Sequence, residues 1–189
     1  MKMRLLKISF LLSIIMVVSL IISQTSSQEG EKKVRVSPKA GIMQTVGLAD
    51  ITISYSRPGV KGRTIWGGLV PYDKVWRAGA DEATKFTFSK NVIIEGKKLN
   101  AGSYGFFIIP AKNEWTLIFN KVADQWGAFE YNESEDALRI KVKAQSNNFQ
   151  EWLAYTFSDM KVNTEGKQNS TIISLAWEKV KVPFKIEVQ

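Results

Sequence analysis

The residues best suited to chemistry lie in one segment, 57–84, between two stretches with the pattern of β-strands. An arginine guanidinium donates several hydrogen bonds to a carboxylate, and flat aromatic faces stack on sugar rings or on cations. A segment with both residue types is typical of a site for a polar ligand, either glycan-like or a small carboxylate. The predicted ligand-binding residues are Arg57, Arg63, Trp66, Tyr72, Trp76, Arg77, Asp81 and Glu82.

A structural interpretation of the same segment is also open. In that interpretation the aromatic side chains close one end of the domain, and the arginines pair with Asp73, Asp81 and Glu82. Irregular segments of this length are uncommon in compact domains, and are usually functional or disordered. Disorder is disfavoured because the many aliphatic and aromatic side chains of the segment are costly to leave in water. Under either interpretation, we expect the segment to fold back on the domain.

The composition excludes most common kinds of active site. The chain of 189 residues contains no His and no Cys, which removes imidazole and thiolate catalysis and Cys/His metal sites. We therefore predict no cofactor and no metal, and favour a non-catalytic protein. A carboxylate-dependent hydrolase such as a glycosidase is the alternative, and a structural assembly subunit is a third interpretation.

The hydrolase alternative depends on which carboxylates can meet. Asp81 and Glu82 are neighbours in the chain, so on an extended backbone their side chains point to opposite faces. They cannot form a catalytic pair with each other. A second carboxylate has to come from another loop, and Asp124 and Glu130 are the candidates.

The first 27 residues have the features of a secretory signal peptide. Lys2, Arg4 and Lys7 precede an apolar stretch at 8–22, and small polar residues follow it. That stretch is short for a bilayer span, although a retained N-terminal anchor is the alternative. We therefore predict an exported protein, periplasmic or extracellular, without a membrane span once the signal is removed.

Charge limits the partners of the mature chain. Loss of three basic residues with the signal lowers the formal net charge from +8 to +5, and the remaining basic residues are scattered rather than clustered. Nucleic-acid binding is therefore not expected. The expected partners are a glycan, a small anionic ligand or another component of the cell envelope.

Residues 41–189 are predicted to form a single all-β domain, preceded by a polar tether at 28–40. Short stretches alternate apolar and polar residues, as half-buried strands do. The predicted strands centre on 51–55, 86–88, 92–94, 104–109, 115–119, 138–142, 152–157, 171–177 and 180–188. The predicted fold is an antiparallel β-sandwich or flattened barrel of about nine strands with one long irregular loop.

Individual residues refine this prediction. The continuous apolar run at 104–109 predicts a strand covered on both faces, and Glu95 and Gly96 predict a tight hairpin. Pro183 predicts an edge strand or a bulge, because proline cannot donate to a strand ladder. Three tryptophans on predicted strands, Trp115, Trp152 and Trp177, are expected in the core.

Several short motifs resemble one known family. They are SPKA at 37–40, YSRP at 55–58, WGGLVPY at 66–72, WRAGA at 76–80, AGSY at 101–104, WG at 126–127 with Tyr131, and WE at 177–178. Together they are similar to the exported bacterial proteins of domain-of-unknown-function family 2911. The resemblance extends from about Ser37 to the end of the chain. It implies an exported β-domain and assigns no catalytic or binding residue.

Overall fold

The computed structural model describes residues 34–162 and 169–188. The predicted signal peptide and the first part of the predicted tether lie outside these residues. The described residues form ten strands: β1 Lys39–Val46, β2 Ala49–Ser56, β3 Thr84–Phe88, β4 Val92–Ile94, β5 Lys97–Leu99, β6 Gly102–Ile109, β7 Trp115–Asn120, β8 Asp136–Val142, β9 Gln145–Val162 and β10 Asn169–Val188. A single 3-10 turn, Glu133–Glu135, precedes β8. Within the described ranges, no helix has the length and apolar character needed to cross a membrane.

The strands form two antiparallel sheets. One has six strands in the order β1-β2-β3-β6-β7-β8, and the other has four in the order β5-β4-β10-β9. The sheets do not close into a barrel. The all-β prediction is therefore confirmed in its sandwich form.

Apolar residues from the inner faces of both sheets form the main core. Phe86, Phe106 and Phe119 extend from three neighbouring strands of the larger sheet, and Phe184 extends from β10. The Phe106 ring lies 4.6 Å from that of Phe86, 5.0 Å from Phe119 and 5.9 Å from Phe184, measured between centroids. All four side chains are buried. Burial of one such ring stabilises the fold by about 1.5–3 kcal/mol.

The outer face of the larger sheet is also covered. Phe107 on β6 and Ile118 on β7 are buried there against Ala83, with Val75 and Tyr131 packed beside them. The irregular segments before β3 and after β7 thus supply a second, smaller core. The prediction that both faces of residues 104–109 are covered is confirmed.

Two predicted strands, 171–177 and 180–188, are one continuous strand, so that prediction is wrong. Register shifts interrupt its pairing with β9 between Ala176 and Val180, and Glu178 has a left-handed φ of 55°. This irregularity distorts the strand locally without reversing the chain.

The prediction of an edge strand or a bulge at Pro183 is wrong on both counts, because β10 is an inner strand and none of its register shifts falls at this residue. The last pair of β10 with β9 is at Lys181, and its first pair with β4 is at Ile186. Pro183 therefore falls between the two ladders, where its missing N–H removes no strand pairing.

The core prediction for tryptophans is right for two of three. Trp115 and Trp177 are buried, whereas Trp152 is 37% exposed. Trp152 lies on β9, an edge strand, and contacts the long loop instead of the opposite sheet. Its backbone pairs with Gly59, and the Lys61 ammonium lies 5.7 Å from its ring centroid.

Candidate functional site

Four indoles attach the long loop to the sandwich. Trp66 and Trp76 belong to the loop, Trp115 to β7 and Trp177 to β10. The Trp76 ring stacks on Trp177 at 5.9 Å, and the Trp66 ring lies 4.7 Å from Trp115 and 5.8 Å from Trp177. The loop is therefore packed against the domain, as expected.

The turn at residues 76–80 is held by side-chain hydrogen bonds. Trp76 Nε1 donates to the Gly79 carbonyl at 3.1 Å. The Ala78 carbonyl accepts from the Tyr155 hydroxyl at 2.8 Å and from Thr84 Oγ1 at 3.0 Å. All three bonds are buried, so breaking any of them leaves unsatisfied polar groups. The turn therefore has little conformational freedom.

Two residues of this region have a strained backbone, one inside the turn and one directly after it. Ala78 has φ 53° and Asp81 has φ 56°, in the left-handed region that costs a non-glycine residue on the order of 1 kcal/mol or more. Such strain persists only where surrounding contacts enforce it, and it is common at binding sites. Arg77 directly precedes Ala78, so its backbone is held by the same contacts.

Beside the turn is a cleft of about 520 Å³, which we call the Arg77 cleft. The residues that line it include Lys61, Arg63, Trp76, Arg77, Asp81 and Trp177. Among these are three cationic groups and one carboxylate. The cleft therefore combines positive charge with an aromatic wall.

Arg77 is one of four described residues with a buried side-chain polar atom that lacks a hydrogen-bond partner. Its Nε is buried and has no hydrogen-bond partner within the described residues, and the same holds for Nε1 of Trp177. Burial lowers the pKa of the Arg77 guanidinium, and the charge of Asp81 partly opposes that shift. No ion pair within 4.0 Å joins Arg77 to a carboxylate of residues 34–162 or 169–188. Two buried donors in one cleft therefore lack an acceptor in the part of the chain that the structure describes.

The other two arginines of the loop are satisfied by backbone carbonyls. Arg57 Nε donates to Leu153 at 2.8 Å. Arg63 donates from Nη2 to Gly59 at 2.7 Å and from Nε to Val60 at 3.1 Å. Arg57 joins the loop to β9, whereas Arg63 is held in place as part of the cleft.

The two neighbouring acids line different clefts. Asp81 lines the Arg77 cleft, and Glu82 lines a second groove on the outer face of the larger sheet. Glu82 receives two hydrogen bonds from Arg35, at 2.6 and 2.7 Å, and an ion pair from Lys39 at 2.9 Å. Arg35 also lies 3.6 Å from Asp81. The acids thus pair with Arg35, not with the arginines of the loop.

These contacts favour the ionised form of the Glu82 carboxyl. The hydrogen bond from Arg35 holds the pKa of the Glu82 carboxyl well below its usual range, with a further contribution from Lys39 and some opposition from burial. No sequence pattern predicts this bond, because nothing relates a residue of the tether to one 47 positions later.

Glu82→Gln should lower stability at neutral pH by about 0.5–1 kcal/mol, because the group is partly exposed and solvent screens the pair. Because the pKa of Glu82 is lower in the folded state, its ionised carboxyl stabilises the fold at pH values above the pKa of the unfolded state, which is about 4.5. That contribution declines as pH falls below this value and through the folded pKa. Urea unfolding at several pH values should show the gap between wild type and variant constant near pH 7 and shrinking below about pH 4.5. A gap that widens on acidification would contradict this ion pair.

Trp66 and Tyr72 lie away from the Arg77 cleft, beside a shallow depression that Trp115 also lines. The Tyr72 ring covers Gly67, where an added Cβ would come within 2.9 Å of it.

The structure brings together in the Arg77 cleft four of the eight predicted ligand-binding residues, namely Arg63, Trp76, Arg77 and Asp81. The prediction missed Lys61 and Trp177 because the first was one exposed lysine among many and the second was assigned to the core.

Comparison with curated proteins and with solved structures finds no match to this chain. A family model does match, over residues 37–186, and its description is Protein of unknown function (DUF2911). The match includes every described strand except the last two residues of β10, and it includes the Arg77 cleft apart from Val36. The chain therefore belongs to the DUF2911 family, as the resemblance of its short motifs predicted.

Proposed function

We propose that the protein is a non-catalytic exported β-domain that binds a small carboxylate-bearing ligand in the Arg77 cleft. The observation that carries the proposal is the buried Arg77 Nε, which lacks a hydrogen-bond partner among the described residues. A buried donor left unsatisfied costs about 1–3 kcal/mol, and more when it is charged. A ligand carboxylate supplies the missing acceptor and opposes the charge.

Charge and rigidity support the same ligand class. Lys61 and Arg63 line the cleft together with Arg77, so a bound carboxylate meets several positive groups. A guanidinium–carboxylate contact is stronger in a partly buried site than in water. Because the turn at 76–80 is already fixed, little additional ordering opposes binding. The volume of about 520 Å³ is within the range for small-molecule sites.

The binding of small carboxylates should depend on Arg77. Isothermal titration with acetate, succinate and citrate is expected to show binding of at least one, and Arg77→Met should weaken it by about tenfold or more. Lys74→Met is the matched control, because Lys74 is exposed and does not line the cleft. It removes the same charge and should leave affinity nearly unchanged. Equal affinities for wild type and Arg77→Met, or equal losses in both variants, would contradict the proposal.

A hydrolase mechanism has weaker support. Glu82 lines one groove with Asp124 and Glu130, the two partner acids that the sequence indicates. However, a glycosidase needs one carboxyl that donates a proton, and Glu82 is held ionised by Arg35 and Lys39. Asp124 is paired with Lys85 at 2.8 Å. Of these three acids, only Glu130 is left outside such ion pairs within the described residues, and one unpaired carboxyl beside two paired ones favours binding over bond cleavage.

A further inference from the structure

The groove that Glu82 lines has the composition of a second ligand site. We call it the Trp126 groove; its volume is about 380 Å³, and Lys39, Lys85, Asp124, Gln125, Trp126 and Glu130 contribute to its lining. We propose that it binds a neutral saccharide. This site is separate from the Arg77 cleft, and its ligand carries no carboxylate.

A short β-bridge forms one wall of the groove. The Ala83 N–H donates to the Gln125 carbonyl at 2.9 Å, and the Gly127 N–H donates to the Asp81 carbonyl at 3.0 Å. Because neighbouring side chains on an extended backbone alternate, Gln125 is buried whereas Trp126 is 60% exposed. An indole is thus displayed on a backbone that hydrogen bonds hold in place.

Gln125 supplies an unused acceptor in the wall of this groove. Its Nε2 donates to the Val122 carbonyl at 2.7 Å. A backbone carbonyl only accepts, so this bond fixes which end of the amide is nitrogen. The other end, Oε1, is buried without a hydrogen-bond partner in the described part of the chain, and Gln125 is only 7% exposed. A donor such as a sugar hydroxyl group satisfies it.

The charges of the groove favour a neutral ligand. Its lysines and acids are largely paired, Lys39 with Glu82 at 2.9 Å and Lys85 with Asp124 at 2.8 Å. A net charge on the ligand would therefore find no strong complement. Sugar hydroxyl groups both donate and accept, which suits a mixture of ammonium and carboxylate groups. The apolar face of a pyranose ring fits against the exposed indole of Trp126.

The proposal is tested with neutral oligosaccharides as probes. Maltohexaose, cellohexaose and chitohexaose are titrated at millimolar concentrations, with isothermal calorimetry as the readout. At least one should bind, and Trp126→Ala should weaken it by about tenfold or more, as expected for a central aromatic contact. Gln125→Met should also weaken it, because it removes the acceptor at similar volume.

Two control variants make the result specific. Phe129→Ala removes an aromatic side chain that is 85% exposed and is not part of the groove lining, so sugar affinity should not change. Arg77→Met should weaken carboxylate binding by about tenfold or more and leave sugar binding intact, so failure at one site is distinguishable from failure at the other. No binding of any probe, or losses no greater for Trp126→Ala than for Phe129→Ala, would overturn the proposal. So would binding of tetramethylammonium that depends on Trp126 while no sugar binds.

Discussion

Trp76→Ala is expected to lower the free energy of unfolding by about 3–5 kcal/mol, the usual cost of truncating a large buried side chain. Trp76 is only 8% exposed. It stacks on Trp177, meets Trp66 edge-on at 5.7 Å and donates a hydrogen bond to Gly79. The substitution thus opens a cavity between the loop and the sandwich and releases one of the bonds that fix the turn. Urea denaturation measures the loss, and the midpoint of thermal unfolding should fall by on the order of 10 °C.

The matched control for this prediction is Trp126→Ala. It makes the same change of residue type at an indole that is 60% exposed, so the loss should be within about 1 kcal/mol. Hydrogen exchange should show faster opening of residues 57–80 in Trp76→Ala and not in the control. Similar losses for both variants would mean that the indole cluster does not anchor the loop.

Gly105→Ala is expected to destabilise the protein by about 1–3 kcal/mol through overpacking. Gly105 lies on β6 beneath the segment that follows β7, and an added Cβ would be 2.6 Å from the Val122 carbonyl oxygen. Backbone has to move to relieve this contact. Because Val122 precedes the wall of the Trp126 groove, the displacement should also weaken saccharide binding.

Gly41→Ala is the control for the glycine substitution. Gly41 also lies on a strand of the larger sheet, but an added Cβ would meet Ile53 O at an ordinary 3.7 Å. The variant should match wild type within about 0.5 kcal/mol, or gain slightly through the reduced entropy of the unfolded chain. Urea unfolding midpoints are measured for Gly105→Ala and Gly41→Ala. Equal midpoints would show that the close approach of the Val122 carbonyl to Gly105 does not limit stability.

Strand positions followed from the sequence because alternation of apolar and polar residues has a direct physical cause. Ile51 and Ile53 on β2 are fully buried, as their spacing of two residues indicates. The rule of alternation does not apply to Asp81 and Glu82, although they line different clefts, because the backbone of Asp81 is left-handed rather than extended. The rule also failed at Glu178, where one residue in the left-handed region was interpreted as the break between two strands.

The composition and local patterns of this chain determined its all-β class, most of its strands but not β1, its packed loop and the chemistry that the absence of His and Cys removes. Those properties depend on neighbouring residues, and neighbours are visible in a sequence. Only the tertiary structure decided which arginine lacks an acceptor, because hydrogen-bond partners such as Arg57 and Leu153, or Arg35 and Glu82, are far apart along the chain. Folding placed an acceptor beside each loop arginine except Arg77, as far as the described residues extend, and the Arg77 Nε is the donor on which the proposed carboxylate site depends.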